Sequence, residues 1–447
     1  MSRSVKFLFG ACTVFVGATA LIWTLNTRDE ENIKTPQAVV PWVPNDTMVQ
    51  RGAYLARAGN CMTCHTARGG QAYAGGRGID TPFGAIYTSN LTPDEKTGIG
   101  SWSPAHFWRA MHNGRSKSGR LLYPAFPYAN YTLVTRDDSD ALLAYLKSLA
   151  PVEKENLPNA LRFPYQSQAA LAVWRALYFS PGVYKPDTSR QAEWNRGAYL
   201  VNGLGHCSAC HTARNALGAS TGQNLAGGLI PVQNWYAPSL VSPHEAGVGG
   251  SEGERVEWVN LLKNGASAHA VVNGPMTEVV LGSTQYLSAE DLSAVALFVQ
   301  DLPKSSVATD KPPGNDLSVM ALTPSVQVST APVDFKGAKL YEQHCAQCHG
   351  ANGKGQQIGA VNAYPALAGN RAVLTAQTVN LVQIVLNGGY PPATSGNPRP
   401  FGMPPFVLVL NDNEVAAILT HIRGAWGNRA NAVTPLEVNR IRSNQAK

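Results

Sequence analysis

Residues 57–69 read RAGNCMTCHTARG, and the five residues at their centre decide the fold. Cys61 and Cys64 stand two residues apart with His65 directly behind them, and the same frame returns at Cys207, Cys210 and His211 and at Cys345, Cys348 and His349. With 7 Cys and 10 His in 447 residues, one accidental frame of this kind has a probability of about 0.002, so three are not accidental. Two thiols on one helical turn can bond the two vinyl groups of a haem, while the adjacent imidazole faces its iron. A redox dithiol has no use for that histidine, and a zinc site needs its remaining ligands at wider spacings. The frames therefore predict three covalently bound haem c groups, with His65, His211 and His349 as axial ligands.

Outside the frames the composition is that of a folded protein. Hydrophobic residues make up 44% of the chain, and at about 150 residues per domain its length suggests roughly three domains. Charged residues are only 15%, and the net charge of +7 is spread without a basic run that could track a phosphate backbone, so nucleic acid is not an expected partner. Near the N-terminus, Arg3 and Lys6 precede an uncharged stretch, Phe7 to Leu25, which as a helix spans about 28 Å against a bilayer core of about 30 Å. Acidic residues Asp29, Glu30 and Glu31 follow, which places the N-terminus inside and the rest of the chain on the exported side. Ala18-Thr19-Ala20 fits a cleavage site, but cleavage would leave Leu21, Ile22 and Trp23 at a new N-terminus, so an uncleaved anchor is expected. Cys12, the one cysteine outside the frames, falls within that anchor.

The frames recur 146 and 138 residues apart, and other features keep the same beat. An amphipathic segment precedes each: RGAYLARAG from Arg51, RGAYLVNGLG from Arg196 and KGAKLYEQH from Lys336. A later helix should stop at Asn113-Gly114, Asn264-Gly265 and Asn387-Gly388, where glycine supplies positive φ. Each repeat closes on a capped helix, signalled by Thr135 with Asp138, Ser288 with Asp291 and Asn411 with Glu414. This order is that of a small class I cytochrome c. The predicted fold is all-α: an anchor or signal segment over 1–30, cytochrome domains over 45–150, 191–303 and 333–430, a packed helical connection over 151–190, a Ser/Thr/Pro linker over 304–332 and a C-terminal tail over 431–447.

Electron-transfer haems usually take a methionine sulfur on the second face of the iron. Discarding Met1, Met48, Met62 and Met320, which lie outside the domain bodies or within a frame, leaves Met111, Met276 and Met403, one downstream of each haem. Met403 in PRPFGMPPF and Met276 in NGPMTEVV occupy loops that can cover a haem. In the first domain the corresponding loop, LLYPAFPY, has Phe126 at its centre, which cannot ligate iron. Met111, its neighbour His112 or an open site remain for that haem, with Met111 preferred. His206 and His344 directly precede a haem cysteine, and these two, with His106, His244, His269 and His421, read as surface or hydrogen-bonded core residues.

The segments TPFGAIYTSNLTPDEKTGIGSW (81–102), LLYPAFPY (121–128), EWNRGAYLVNGLGHCSACHTARNALG (193–218) and GPMTEVV with STQYLSAEDL (within 274–292) resemble one family over nearly the whole chain after residue 45. It is the triheme cytochrome c subunit of membrane-bound bacterial dehydrogenases acting on alcohols, gluconate, fructose or aldehydes. The resemblance implies Met276 and Met403 as iron ligands, ubiquinone as electron acceptor, and residence on the inner membrane with the haem domains facing the periplasm. Where many members have methionine this chain has Phe126, a form that looks more like the cytochromes serving molybdopterin-dependent aldehyde dehydrogenases, which also carry a small iron–sulfur subunit. Quinoprotein alcohol or flavoprotein gluconate and fructose dehydrogenases are the alternative partners. The chain shows no nucleophile–base pairing and no G-x-G-x-x-G after a strand, so catalysis is expected in the partner. A multihaem peroxidase using an open first iron is the competing class, and a diffusible or oxidase-linked cytochrome is a third.

Overall fold

The computed structural model describes residues 3–31, 33, 42–220, 222–268, 270–303, 335–358 and 361–445. The expected linker, 304–332, and His269 lie outside the described residues. The chain divides into two compact units, Met1–Asp187 with Tyr199–His206, and Thr188–Ala198 with Cys207–Lys447.

The first unit opens with α1 (Arg3–Asn26), whose span Ser4–Asn26 is long and apolar enough to cross a membrane. Helix α2 (Asp46–Ala58) leads into the short α3 (Cys61–Cys64), and after two strands, β1 (Gly78–Thr81) and β2 (Gly84–Tyr87), come α4 (Pro104–Asn113), the single turn α5 (Tyr128–Tyr131) and α6 (Arg136–Ser148). The segment beyond supplies β3 (Ala160–Leu161), paired to β2, and α7 (Gln168–Tyr178), which packs on α1.

The second unit repeats the plan twice. Its first set holds α8 (Ala192–Tyr199), α9 (Ser208–His211), the hairpin β4 (Gly228–Ile230) and β5 (Trp235–Ala237), then α10 (Glu252–Asn264), α11 (Pro275–Gly282) and α12 (Ala289–Asp301). Its second set holds α13 (Phe335–His344), α14 (Ala346–His349), β6 (Gln356–Ile358), β7 (Val361–Tyr364), α15 (Arg371–Leu374), α16 (Val379–Asn387) and α17 (Asp412–Gly424). Residues 431–447, expected as a tail, contain α18 (Pro435–Gln445), which seats Val438 in the core built by Tyr341, Val382, Leu386, Ile418 and Leu419. The short strands among the described residues depart from the all-α expectation. Three hairpins, β1–β2, β4–β5 and β6–β7, arise where the loop after each frame doubles back and its backbone groups pair antiparallel, and β3 adds to β2 from the segment beyond α6.

One helix crossing recurs three times. Gly52 of α2 lies against the Ala141 carbonyl of α6, Gly197 of α8 against that of Ala294 in α12, and Gly337 of α13 against that of Ala417 in α17. At each place a Cβ would run into a backbone oxygen, so only glycine lets the entering and closing helices meet this closely. The residue before the glycine adds an ion pair in the first two cases, Arg51 to Asp138 at 2.6 Å and Arg196 to Asp291 at 2.7 Å. Those aspartates sit in the first turns of closing helices whose caps the sequence marks: Thr135, Ser288 and Asn411 each accept from the backbone N–H three residues on, at 3.3, 3.2 and 3.1 Å. Gly114, Gly265 and Gly388 end the intervening helices with φ of 58°, 77° and 66°.

Candidate haem sites

The first and third frames follow their entering helices within two residues and the second follows α8 after a π-helical turn, Leu200–Leu204, so each cysteine pair and histidine emerges beyond a helix that the glycine crossing has fixed. What holds the histidine is a loop closed the same way three times. The His65, His211 and His349 carbonyls accept from the N–H groups of Gly75, Gly227 and Gly355 at 2.8, 2.8 and 2.9 Å. Two residues before each glycine, Tyr73, Leu225 and Gly353 adopt left-handed backbone with φ of 60°, 54° and 64°. Their carbonyls accept from the N–H groups of Leu91, Leu240 and Leu367 at 2.8, 2.8 and 2.7 Å. The second contact brings a backbone carbonyl two residues before each leucine onto the imidazole: Nδ1 of His65 donates to Ser89, of His211 to Pro238 and of His349 to Pro365, at 2.7, 2.7 and 2.9 Å.

A carbonyl oxygen can only accept, so Nδ1 carries the proton in all three rings and the lone pair is left on Nε2. Burial, working against those carbonyl contacts, holds each imidazole below the ordinary histidine range and therefore neutral near pH 7. All six frame cysteines are free. Burial, and then the neighbouring thiol, pushes Cys61 and Cys207 up to about 12 and Cys345 up to about 11, so these sulfurs stay protonated at neutral pH. A neutral imidazole with Nε2 available, beside two free thiols one helical turn apart, is the donor set that haem c requires.

The candidate sixth ligands are placed unequally. Met403 packs against the same apolar core as Cys345, and its backbone pairs with Gly389 in both directions at 2.8 and 3.0 Å, which fixes its loop behind the Asn387-Gly388 stop. Met276 stands in the first turn of α11 rather than in a free loop, because Pro275 supplies a helix-ready φ with no N–H to satisfy. Met111 is buried on α4. Phe126 lies 5.2 Å, ring to ring, from Tyr131, whose hydroxyl donates to the Gly59 carbonyl at 3.2 Å. Burial and then the charges that Cys61 and Cys64 would carry raise Tyr131 well above the ordinary tyrosine range, which marks this ring as a neighbour of the first frame. His112 has its Nδ1–H on the Thr132 carbonyl at 2.9 Å and its face stacked on Trp108 at 4.5 Å.

Four of the other histidines have local partners. His106 completes the capping box with Ser103 at the start of α4, His206 stands edge-on to Tyr131, His344 meets Phe406, and His421 lies against Tyr341 and Trp426. Sequence reasoning missed Ser89, Pro238 and Pro365, because their contribution is a backbone carbonyl. A usable signal was present: each stands two residues before a leucine, in SNL, PSL and PAL.

A cytochrome c family model matches residues 49–150 and 335–426. The cytochrome c subunit of a quinone-type alcohol dehydrogenase from Gluconacetobacter polyoxogenes is 36% identical over 411 residues, covering 90% of this chain and 86% of the relative. The gluconate 2-dehydrogenase cytochrome c subunit of Pantoea cypripedii is 36% identical over 414 residues, covering 90% and 91%. One of the nicotinate dehydrogenase subunits of Pseudomonas putida is 39% identical over 447 residues, 98% of this chain, and the chain spans 35% of that longer protein. With cytochrome c domains and this identity along nearly its full length, the chain belongs to the family of cytochrome c subunits of dehydrogenase complexes.

Proposed function

We propose that the chain is a triheme electron-transfer subunit, anchored by α1 in the inner membrane with its haem domains in the periplasm, which passes electrons from a dehydrogenase catalytic subunit to ubiquinone. The observation that carries this reading is the threefold histidine arrangement: three imidazoles, each with Nδ1 committed to a loop carbonyl and Nε2 left for iron. Haem bound at the frames supplies one-electron redox chemistry. Cys61 with Cys64, Cys207 with Cys210 and Cys345 with Cys348 hold the three groups covalently, and His65, His211 and His349 orient them. Met276 and Met403 cover the second and third. Met111 is the ligand proposed for the first, supported by its burial on α4 in the domain whose covering loop has Phe126 in place of a methionine.

The partner proposed is a molybdopterin-dependent aldehyde dehydrogenase with its iron–sulfur subunit, on the strength of Phe126 in the first covering loop. A nicotinate-oxidising partner is the second reading, favoured by the 39% identity to the nicotinate dehydrogenase protein over 98% of this chain. Purification from membranes in detergent tests the whole assignment. The mature chain should carry the mass of three haems, give a pyridine haemochrome spectrum and bring a large dehydrogenase subunit with it. Release by salt alone, or a mass short of three haems, overturns it. A first haem that is high-spin and turns over peroxide moves the chain to the peroxidase class.

A further inference from the structure

The end of α1 is built into the first haem domain. Asn26, buried in the last turn of α1, accepts at Oδ1 from Nε of Arg175 on α7 (2.9 Å) and donates from Nδ2 to the Ala172 carbonyl (2.9 Å). Arg175 is itself buried. Its Nη2 donates to the Asn113 carbonyl at 2.7 Å, and the guanidinium lies over the rings of Tyr128 and Phe179 at 5.0 and 4.7 Å. Beyond Asn26 the clasp continues: Arg115 donates to the Asn26 carbonyl at 3.1 Å and pairs with Glu30 at 3.3 Å, Arg28 donates to the Phe179 carbonyl at 3.1 Å, and Arg136 pairs with Glu31 at 2.9 Å. These contacts set α7 where α1 leaves its apolar span.

The outward face of α7 has the wrong chemistry for water. Its sequence, QAALAVWRALY, contains one charged residue, Arg175, and that residue points inward. Val173 and Leu177, four residues apart on one face, are 44% and 64% exposed, and the Trp174 ring lies tilted against Tyr178 at 5.5 Å. A surface helix of a water-soluble domain carries charge on its outer face, whereas an apolar face with Trp and Tyr beside it suits the headgroup–acyl boundary.

We infer that α7 is a second membrane-contacting element, lying in the bilayer interface beside the exit of α1, so that the first haem domain is seated on the lipid surface in a fixed orientation. The occupant of this face is phospholipid. The argument for lipid is continuity: the face adjoins the end of the proposed anchor, and the inference rests on that anchor reading.

The test uses the full haem-loaded chain in vesicles of phosphatidylcholine and phosphatidylglycerol containing a phospholipid with a diazirine in its acyl chain. After photolysis, peptide mapping should find lipid adducts on α1 and on residues 168–178, and none on α2. In a Val173→Asp, Leu177→Asp variant with an unchanged haem spectrum, adducts on 168–178 should fall severalfold while those on α1 persist. Adducts on α1 alone in the parent protein overturn the inference, whether α7 then faces water or a second copy. Adducts on neither helix sink the anchor reading instead.

Discussion

Gly52→Ala is the sharpest test of the architecture, because the structure assigns opposite signs to two chemically identical substitutions. In α2 the new methyl would meet the Ala141 carbonyl oxygen and carbon and the Tyr145 Cβ, and two of these three atoms are backbone that no side-chain rotation can move. In α10 a methyl at Gly253 meets nothing within 4 Å. Alanine gains about 1 kcal/mol over glycine in a helix. At Gly253 that gain stands alone, so the variant should be about 0.5–1 kcal/mol more stable. At Gly52 the overpacking cost lies at the upper end of about 1–3 kcal/mol, since two helices must separate, and the net is a loss of about 2 kcal/mol. For a domain of this size that corresponds to a drop of roughly 10 °C in its melting temperature. The assay is thermal unfolding of the haem-loaded protein, with hydrogen exchange read on peptides from α2 and α6 to localise the change. Exchange should rise in both helices at once. A Gly52→Ala protein as stable as the parent, or stabilised like Gly253→Ala, would refute the crossing and with it the shared plan of the three helical sets.

Three further outcomes are expected. Arg423→Met removes a buried guanidinium that donates to the Val373, Thr375 and Asn431 carbonyls at 2.6, 2.9 and 2.6 Å; the unsatisfied oxygens should cost about 3 kcal/mol, measured by guanidinium unfolding with exchange on the last 20 or so residues. Donation from the Ser251 hydroxyl and backbone N–H, with Arg371 adding to it, holds Glu254 below its ordinary 4.5; a depressed carboxylate stabilises above that value and its contribution is lost as pH falls through the lowered one. Exchange in α10 and α15 should therefore rise on acidification below about pH 4.5, and the acid-side dependence should flatten in Glu254→Gln. Met403→Ala should turn one haem high-spin by electron paramagnetic resonance while the haemochrome content stays at three, Met111→Ala should do so at a different haem, and Phe126→Leu should leave the spin states as they are; a silent Met111→Ala removes that ligand assignment.

What the sequence showed and what it hid divide along a physical line. Side-chain chemistry at fixed spacing was legible: the Cys and His of the frames, the Thr135, Ser288 and Asn411 caps, the three Asn-Gly stops. Each of these acts through atoms within four residues of itself, so spacing alone carries it. The carbonyls of Ser89, Pro238 and Pro365 were not legible, because every residue has a carbonyl and the identity of the donor says nothing about it. The left-handed residues behind them show the same limit. Gly353 fits that conformation by choice, whereas Tyr73 and Leu225 are bulky residues held there by the closed hydrogen-bonded loop. Arg175 was hidden for another reason, since its partner Asn26 lies 149 residues away and a lone arginine on an apolar helix reads as a side chain reaching for water.

The same division bears on how three similar frames could do different work. On the side of the frame histidines the three loops are almost interchangeable, with hydrogen bonds matching to within 0.2 Å, so that side fixes the ring and tautomer alike in all three frames. The segments proposed to cover the haems are where the repeats diverge: a methionine in a backbone-paired loop, one in the first turn of a helix begun by proline, and a phenylalanine packed on Tyr131. On the proposed function, a gradient along the chain must then be set by covering loops and solvent exposure, the levers that axial ligation leaves to the protein once the histidine side is held constant.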